Sequence, residues 1–238
     1  MRKAIIIGVG PEQGLGAQLC KRFAGDGLQV FVAGRTRESV DAIAADITSD
    51  GGSATAVVTD ATDETQVVAL FDQAGDGLEL VIYNAGNNTP GRIIDMGADY
   101  FEASWRVLCF GAFLVGREAV RRMVPQGRGS LLFTGASASL RGRAGFGAFN
   151  SGKAGLRNLA QAMAKEYGGD GIHIGHVVVG GGIAGDKIFK RRPEVVASRG
   201  VDAFIKIDGI VDAFVYLHNQ PKSAWSFEVD VRTSDENW

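Results

Sequence analysis

The apolar residues of this chain alternate between two spacings. Short runs rich in β-branched residues occupy residues 4–8, 29–33, 54–59 and 78–83. Such runs are typical of parallel strands that are buried on both faces of a sheet. Between them apolar residues recur at helical spacing, as at Leu15, Leu19 and Phe23. The first third of the chain therefore predicts strands that alternate with helices.

The same alternation continues further along the chain. A long helix is predicted around residues 105–123, a strand at 130–134, a helix from about 149 to 167 and a strand at 173–179. The last third is less regular, with a loop or short helices at 183–199, a helix at 210–218 and a strand at 227–231. Strand–helix alternation predicts an α/β fold: a three-layer, doubly wound parallel sheet of the Rossmann type with right-handed crossovers.

Composition narrows the class of protein. A chain of 238 residues with 45% hydrophobic content, without an internal repeat or a proline-rich linker, is expected to form one domain over residues 1–238. Its net charge of −2 argues against a nucleic-acid partner, and no apolar run is long enough to span a membrane. Cys20 and Cys109 lie in apolar helical patterns, which suits reduced, buried thiols; with no targeting segment at the start, we expect a cytoplasmic location.

A glycine-rich loop follows the first predicted strand and directly precedes a helix. Residues 8–16 read GVGPEQGLG. In this strand–loop–helix context the backbone can approach a pyrophosphate, whose charge is favoured by the free N–H groups at the helix start. The alternative is a glycine-rich turn without a ligand. The context favours a dinucleotide site.

Several spaced motifs extend this interpretation. Gly10, Gly14 and Gly16 fit Gly-x-x-x-Gly-x-Gly, residues 84–86 read Asn-Ala-Gly after the fourth strand, and Lys153 lies in the helix at 149–167. With these motifs the chain resembles the short-chain dehydrogenase/reductase family, more weakly toward the carboxyl terminus. The resemblance implies that the cofactor is bound by Gly10, Gln13, Gly14, Leu15, Gly16, Arg35, Asp60, Ala61, Asn84, Ala85, Gly86, Lys153 and Ile183.

The end of the second strand bears on which cofactor is bound. An acidic residue there would hold both ribose hydroxyls of NAD, but Arg35 occupies the position. Arg35 can make charge-assisted contacts to a 2′-phosphate, so NADP is favoured over NAD. A solvated arginine is the alternative. Gln13 adds no second positive charge, and whether Arg37 supplies one stays open.

The resemblance breaks at the catalytic positions. The family uses a tyrosine as proton donor, a lysine four residues later, a serine and an asparagine; here Phe149, Ala136 and Leu108 replace tyrosine, serine and asparagine. Lys153 remains, and the resemblance implies that it holds the nicotinamide ribose. Loss of a positioned general acid costs about 10² to 10⁴ in rate, so ordinary carbonyl reduction would be crippled.

Other side chains could take the place of the missing catalytic groups. Ser137 is a candidate catalytic residue beside Lys153, although a one-residue shift on an extended strand points its side chain away unless the strand has already ended. Ser151 lies on a different helical face from residue 149 and is interpreted as structural. His173 and His176 have the spacing of opposite strand faces, so no metal site is expected. Residues 190–193 (KRRP) could meet an anionic substrate or the cofactor phosphate, but a solvated charge run is the favoured interpretation.

Two functions remain open at this point. The first is an NADP-dependent oxidoreductase acting on a small carbonyl or alcohol with a degraded set of catalytic residues. The second is a catalytically silent dinucleotide-binding protein that serves as a sensor or partner subunit. The resemblance also implies a homodimer or homotetramer, because the long helix with Trp105, Phe110, Phe113 and Leu114 resembles one that pairs subunits; core packing is the alternative for this face.

Overall fold

In the part of the chain that the structure describes, seven parallel strands form the central sheet. The computed structural model describes residues 2–86, 88–191 and 193–236. The sheet contains β1 (Lys3–Ile7), β2 (Gln29–Gly34), β3 (Ser53–Val58), β4 (Leu78–Tyr83), β5 (Gly129–Thr134), β6 (Ile172–Val179) and β9 (Glu228–Val231), in the order β3-β2-β1-β4-β5-β6-β9. Every pairing in it is parallel. The predicted fold class, a doubly wound parallel sheet, is confirmed.

Helices cover both faces of this sheet. They are α1 (Leu15–Gly25), α2 (Arg37–Ser49), α3 (Glu64–Ala74), α4 (Ala98–Trp105), α5 (Gly111–Met123), α6 (Gly147–Tyr167), α7 (Asp186–Arg191), α8 (Pro193–Arg199) and α9 (Ile207–His218). One core cluster joins the sheet to α1, α2 and α9, and a second joins it to α3, α5 and α6. No helix in the described part of the chain is both long and apolar enough to cross a bilayer.

Alternation along the central strands explains the two cores. Ala4 and Ile6 of β1 pack into the cluster with α1 and α2, whereas Ile5 and Ile7 pack into the cluster with α3 and α5. Successive side chains of a strand point to opposite faces, so a strand covered on both faces is expected to be apolar at nearly every position. The eight residues of β6 are all buried. β1 is therefore an apolar run after Lys3, whereas the buried run of β6 also includes His173 and His176.

The structure differs from the predicted elements mainly in the long helix. It begins at Ala98 as α4, passes through a π-helical turn at Arg106–Phe110 and continues as α5. The first turns contribute few buried side chains, so the apolar spacing there gave no signal. The short pair β7 (Ile183–Ala184) and β8 (Ile205–Lys206) was also missed, because two-residue strands carry no alternation.

The topology defines where a ligand can bind. The strand order reverses between β1 and β4, so the connections after these two strands run to opposite sides of the sheet. In open α/β sheets the crevice at such a switch point, outside the carboxyl ends of the strands, is the usual ligand site. The glycine-rich loop follows β1 at this position.

Candidate functional site

Close backbone packing shapes the glycine-rich loop. Gly8 has a φ of +93°, and a Cβ atom there would lie 2.2 Å from the main-chain nitrogen of Ala85. A Cβ at Gly16 would lie 2.9 Å from the carbonyl oxygen of Gly8. A Cβ at Gly10, by contrast, would meet no atom within 4 Å. The loop is therefore held tightly at both ends and open to a ligand at Gly10.

Asn84 ties together three strand ends at this edge. Its Nδ2 atom donates to the carbonyl oxygen of Gly8 at 3.1 Å, and its Oδ1 atom accepts from the hydroxyl of Thr134 at 3.0 Å. Gly8 follows β1, Asn84 follows β4 and Thr134 ends β5. The amide therefore connects the glycine-rich loop to the end of β5.

Lys153 of α6 reaches the same place from the helix layer. The residue is 5% exposed, and its Nζ atom donates to the carbonyl oxygen of Thr134 at 2.6 Å. Burial and, to a smaller extent, the charge of Lys187 lower the pKa of Lys153 to about 8. A Cβ at Gly86 would lie 3.9 Å from Nζ, so the backbone after β4 also approaches the amine. The structure thus brings together Asn84, Gly86 and Lys153.

The residues expected to contact the adenine half of a cofactor are spread along the neighbouring strand ends. Arg35 directly follows β2 and is exposed. The carboxylate of Asp60 accepts from the main-chain nitrogen and the hydroxyl of Thr62, both at 2.8 Å, so it caps a turn. Ala61 is buried. Leu15 is also a core residue at 5% exposure, so only its backbone can face a cofactor.

The segment after β6 packs onto the glycine-rich loop. The main-chain nitrogen of Asp186 donates to the carbonyl oxygen of Gln13 at 2.9 Å. A Cβ at Gly185 would lie 2.5 Å from that oxygen. Ile183 is half-buried in β7, two residues before this contact. Gln13 and Ile183 therefore flank one side of the candidate cofactor cleft.

Apolar side chains occupy the three positions that the resemblance predicts to be catalytic. The ring centroid of Phe149 is 6.0 Å from Nζ of Lys153. Leu108 is fully buried, and its Cβ lies 2.6 Å from the point that a Cβ at Gly152 would occupy. Ala136 is extended, with φ −157° and ψ 169°. Phe149, Ala136 and Leu108 carry no proton that could be donated to a substrate.

A network of hydrogen bonds that starts at the backbone of Ala136 could not be found from the sequence. The main-chain nitrogen of Ala136 donates to Ser139 Oγ at 3.1 Å, and this oxygen is 3.3 Å from His176 Nε2. His176 Nδ1 lies 2.9 Å from Glu228 Oε2, and Arg157 donates to both oxygens of Glu228 at 2.6 and 3.0 Å. Desolvation lowers the pKa of His176 to about 4, so the ring is neutral near pH 7.

Ser137 contacts a second residue that the sequence analysis missed. Strand β5 ends at Thr134, and Ser137 begins a 3₁₀ turn at Ser137–Ser139, so the condition under which its side chain can turn toward the cleft is met. Arg232 Nη1 donates to Ser137 Oγ at 3.4 Å and Nη2 donates to Asp230 at 2.8 Å. The Arg232 side chain is only 7% exposed.

The remaining polar candidates make local contacts. Ser151 donates to the carbonyl oxygen of Ala148 at 3.0 Å, within its own helix. His173 bonds to the Ser226 carbonyl at 2.9 Å. Lys190 pairs with Asp186 on the surface, while the side chain of Arg191 and the whole of Arg192 lie outside the described residues. Within the described ranges there is no group of three or more His, Cys, Asp or Glu side chains that could hold a metal ion.

The aromatic face of the long helix divides between core and surface. Leu114 is 1% exposed, whereas Trp105 and Phe113 are each 39% exposed. Phe110 lies between them, with ring centroids 6.3 Å from Trp105 and 6.2 Å from Phe113. Three neighbouring aromatic side chains thus form a surface strip beside the core residue.

Both the sequence and the fold of this chain are similar to those of known proteins. The family model described as short chain dehydrogenase matches residues 3–187. The uncharacterised oxidoreductase YuxG of Bacillus subtilis is 33% identical over 84% of this chain, and the matched region is 30% of the length of YuxG. A short-chain dehydrogenase from Rhodopseudomonas palustris is 34% identical, with a TM-score of 0.81 over 97% of this chain and 98% of that one. A metagenomic short-chain oxidoreductase in complex with NADP shares the fold at 21% identity, with a TM-score of 0.82 over 98% and 97% of the two chains.

Proposed function

The chain belongs to the short-chain dehydrogenase family, and from this premise we propose that it is an NADP-dependent oxidoreductase acting on a small carbonyl or alcohol. The observation that carries the proposal is the convergence of Asn84 and Lys153 on Thr134, beside the open glycine-rich loop. Burying the amine of Lys153 costs free energy of folding that one hydrogen bond offsets only in part, and the amine lies at the switch point where ligands bind in this type of sheet.

The residues at this edge fit a dinucleotide. The space at Gly10 is open, so the loop backbone can approach a pyrophosphate, and the start of α1 at Leu15 supplies free N–H groups. Lys153 would hold the ribose next to the nicotinamide, and the backbone at Ile183 would face its carboxamide. When bound, the nicotinamide supplies or accepts the hydride.

Arg35 is the basis for proposing NADP over NAD. Its guanidinium is exposed directly after β2, where the adenine ribose is held in this fold, and it can pair with a 2′-phosphate through two parallel hydrogen bonds. The Asp60 carboxylate accepts from Thr62, its main-chain N–H donates to Gln66 and its carbonyl accepts from Asp63, so only the remaining lone pairs of the carboxylate would meet adenine.

The chain's own residues would carry out positioning more than proton transfer. Lys153, with its pKa near 8, is part protonated and part neutral in the physiological range and can hold or exchange a proton at the ribose. The ring of Phe149 lies 6.0 Å from the Nζ atom of Lys153 and offers no proton. Hydride transfer between groups held at contact distance retains the large rate advantage of proximity even without an acid.

A second function is favoured by one specific observation. Phe149, Ala136 and Leu108 are apolar at the three positions that align with the family's tyrosine, serine and asparagine. A catalytically silent dinucleotide-binding protein, acting as a sensor or partner subunit, requires the cofactor cleft but does not require a catalytic tyrosine, serine or asparagine. Turnover separates the two functions, since both require cofactor binding.

Assembly and location are parts of the proposal. The strip of Trp105, Phe110 and Phe113 supports a homodimer or homotetramer built on the long helix, since exposed aromatic patches mark contact surfaces. Light scattering of the wild type and of Phe113→Glu would test it, with a smaller particle expected for the variant. Free thiols at Cys20 and Cys109 support a cytoplasmic location.

The deciding experiment combines binding with turnover. Calorimetric titration with NADPH and NADH should give tighter binding of NADPH to the wild type and to Lys165→Met, an exposed control on the same helix, and weaker binding to Lys153→Met. NADPH oxidation against a panel of small carbonyls then follows for the wild type and Phe149→Tyr. Failure to bind either nucleotide contradicts both functions, whereas binding with turnover only in Phe149→Tyr supports the silent binder.

A further inference from the structure

Most hydroxyl groups near the carboxyl ends of the strands already donate their proton to an acceptor within the protein. Tyr83 donates to the Val107 carbonyl, Thr134 to Asn84 and Ser151 to the Ala148 carbonyl. Ser139 faces Nε2 of His176, which is the accepting nitrogen if Nδ1 carries its proton toward Glu228. None of these four hydroxyls has a proton to spare for a substrate.

Ser137 differs from all four. Within the described part of the chain, its hydroxyl makes one hydrogen bond, and it accepts that bond from Arg232. Ser137 is half-buried, and its 3₁₀ turn packs between β6 and α6, the helix that carries Phe149 and Lys153. Its proton is therefore directed away from the guanidinium and remains available at the carboxyl edge of the sheet.

The loop after β6 is adapted to this arginine. A Cβ at Gly180 would lie 2.3 Å from Cγ of Arg232 and 2.9 Å from its Nη1 atom, so any larger residue would displace the side chain. Asp230 pairs with Nη2 and leaves Nη1 directed at Ser137. A buried guanidinium in a fixed orientation is a strong and permanent positive charge.

Both supports of the turn at Ser137–Ser139 come from the end of the chain. Glu228 of β9 is hydrogen-bonded to His176, which in turn contacts Ser139 of the turn. Arg232, just after β9, donates to Ser137 of the same turn. Neither Glu228 nor Arg232 lies in the part of the chain that matches the family model, which ends at residue 187. The turn that carries Ser137 is thus supported by residues of the carboxyl-terminal strand and the segment after it.

We propose that Ser137 is the proton donor of the oxidoreductase and that Arg232 is the positioning residue that makes it competent; this rests on the proposed function. In the step, the carbonyl carbon gains the hydride and the carbonyl oxygen gains the Ser137 proton, so a C=O bond becomes CH–OH. The serine alkoxide left beside Arg232 takes a proton from water, and the net consumption is one hydride and one solvent proton.

The charge of Arg232 gives this step its physical basis. A cation that donates to Oγ withdraws electron density and stabilises the alkoxide, and such preorganised donors act strongly where water is excluded. A serine is nevertheless a far weaker acid than a tyrosine beside an ammonium group. Reduction is therefore favoured over alcohol oxidation, for which the same oxygen would have to act as a base.

The first test replaces the donor. Ser137→Ala should lower the single-turnover rate of carbonyl reduction by about 10²-fold, the lower bound for loss of a positioned acid. Ser137→Thr should retain most of the rate, and the matched control Ser151→Ala should equal the wild type. NADPH dissociation constants and unfolding midpoints should be the same in all four proteins, which separates lost chemistry from lost folding or binding.

The second test replaces the positioning residue. Arg232→Met should lower kcat by more than tenfold with little change in KM, and Arg232→Lys should recover part of it, because a cation is restored without the fork geometry. A merely structural arginine would lower the unfolding midpoint of both variants and leave kcat unchanged in the folded fraction.

The outcomes separate this proposal from the proposed function. If the wild type reduces a carbonyl and Ser137→Ala is within threefold of it, Ser137 is not the donor and the oxidoreductase function stands. If the wild type binds NADPH yet only Phe149→Tyr reduces carbonyls, the native chain is a binder and both proposals fail. A loss confined to Ser137→Ala and Arg232→Met supports both.

Discussion

The ammonium group of Lys153 lies 2.6 Å from the carbonyl oxygen of Thr134, at the buried end of β5. This contact holds a charge in a place where its residue is 5% exposed. Desolvation is the main reason why the pKa of Lys153 is lowered to about 8. The same group that we propose to hold the ribose therefore destabilises the protein when no ligand is present.

Stability at alkaline pH should report this destabilisation. The unfolded chain binds the Lys153 proton up to about pH 10.5 whereas the folded protein releases it at about 8, so the contribution of this group to stability rises between these values. The full shift corresponds to about 3 kcal/mol. We expect urea unfolding of the wild type and Lys153→Met from pH 7 to 10.5 to show that the difference in their free energies of unfolding becomes smaller as the pH rises. A constant difference would contradict a buried charge, and Lys190→Met serves as the control.

Acid should weaken the protein through His176. The unfolded chain takes up a proton at this histidine near pH 6.5, but the folded protein does not until about pH 4, so stability falls as pH decreases through that window. The expected loss is about 2 kcal/mol between pH 7 and 5. In urea unfolding, the free energy of unfolding of His176→Gln should fall by about 2 kcal/mol less over the same pH range. Equal pH dependence in both proteins would show that another group is responsible.

Cofactor preference should depend on Arg35. A charge-assisted hydrogen bond contributes about 1.5–3 kcal/mol, so Arg35→Asp should weaken NADPH binding by about 10- to 100-fold and leave NADH binding equal or tighter. Arg37→Asp is the matched control, since Arg37 is also exposed and lies two residues further on. A greater effect from Arg37→Asp would move the phosphate contact to that residue.

Two glycines of the same loop should respond differently to alanine. Gly10→Ala places its Cβ in open space, so it should leave the unfolding midpoint unchanged while weakening NADPH binding. Gly16→Ala places its Cβ 2.9 Å from the Gly8 carbonyl oxygen, which should cost about 1–3 kcal/mol in stability. Chemical unfolding and calorimetric titration of both variants measure the two effects. Loss of stability in Gly10→Ala would mean that the loop is packed rather than open.

Most of the fold could be predicted from the chain itself. Strands buried on both faces are apolar at nearly every position, so β1 and β4 appear as short apolar runs in the sequence, and β6 does so apart from His173 and His176. The glycine spacing at residues 8–16 likewise reflects steric constraints, since a Cβ at Gly8 would meet the backbone of Ala85 and a Cβ at Gly16 would meet the backbone of Gly8. The π-helical turn at Arg106–Phe110 and the pair β7–β8 could not be predicted, because neither produces a periodic apolar pattern.

The amino-acid sequence by itself determined the family, the fold class and the fact that residue 149, a phenylalanine, cannot donate a proton. Only the tertiary structure decided which groups meet at the edge of the sheet. His176 and Glu228 are 52 residues apart in the chain, and Ser137 and Arg232 are 95 apart. The physical reason is that local spacing governs which residues share a strand or helix face, whereas the strand order brings the ends of β5, β6 and β9 together. The lowered pKa of Lys153 has the same origin, because burial is a property of the folded chain.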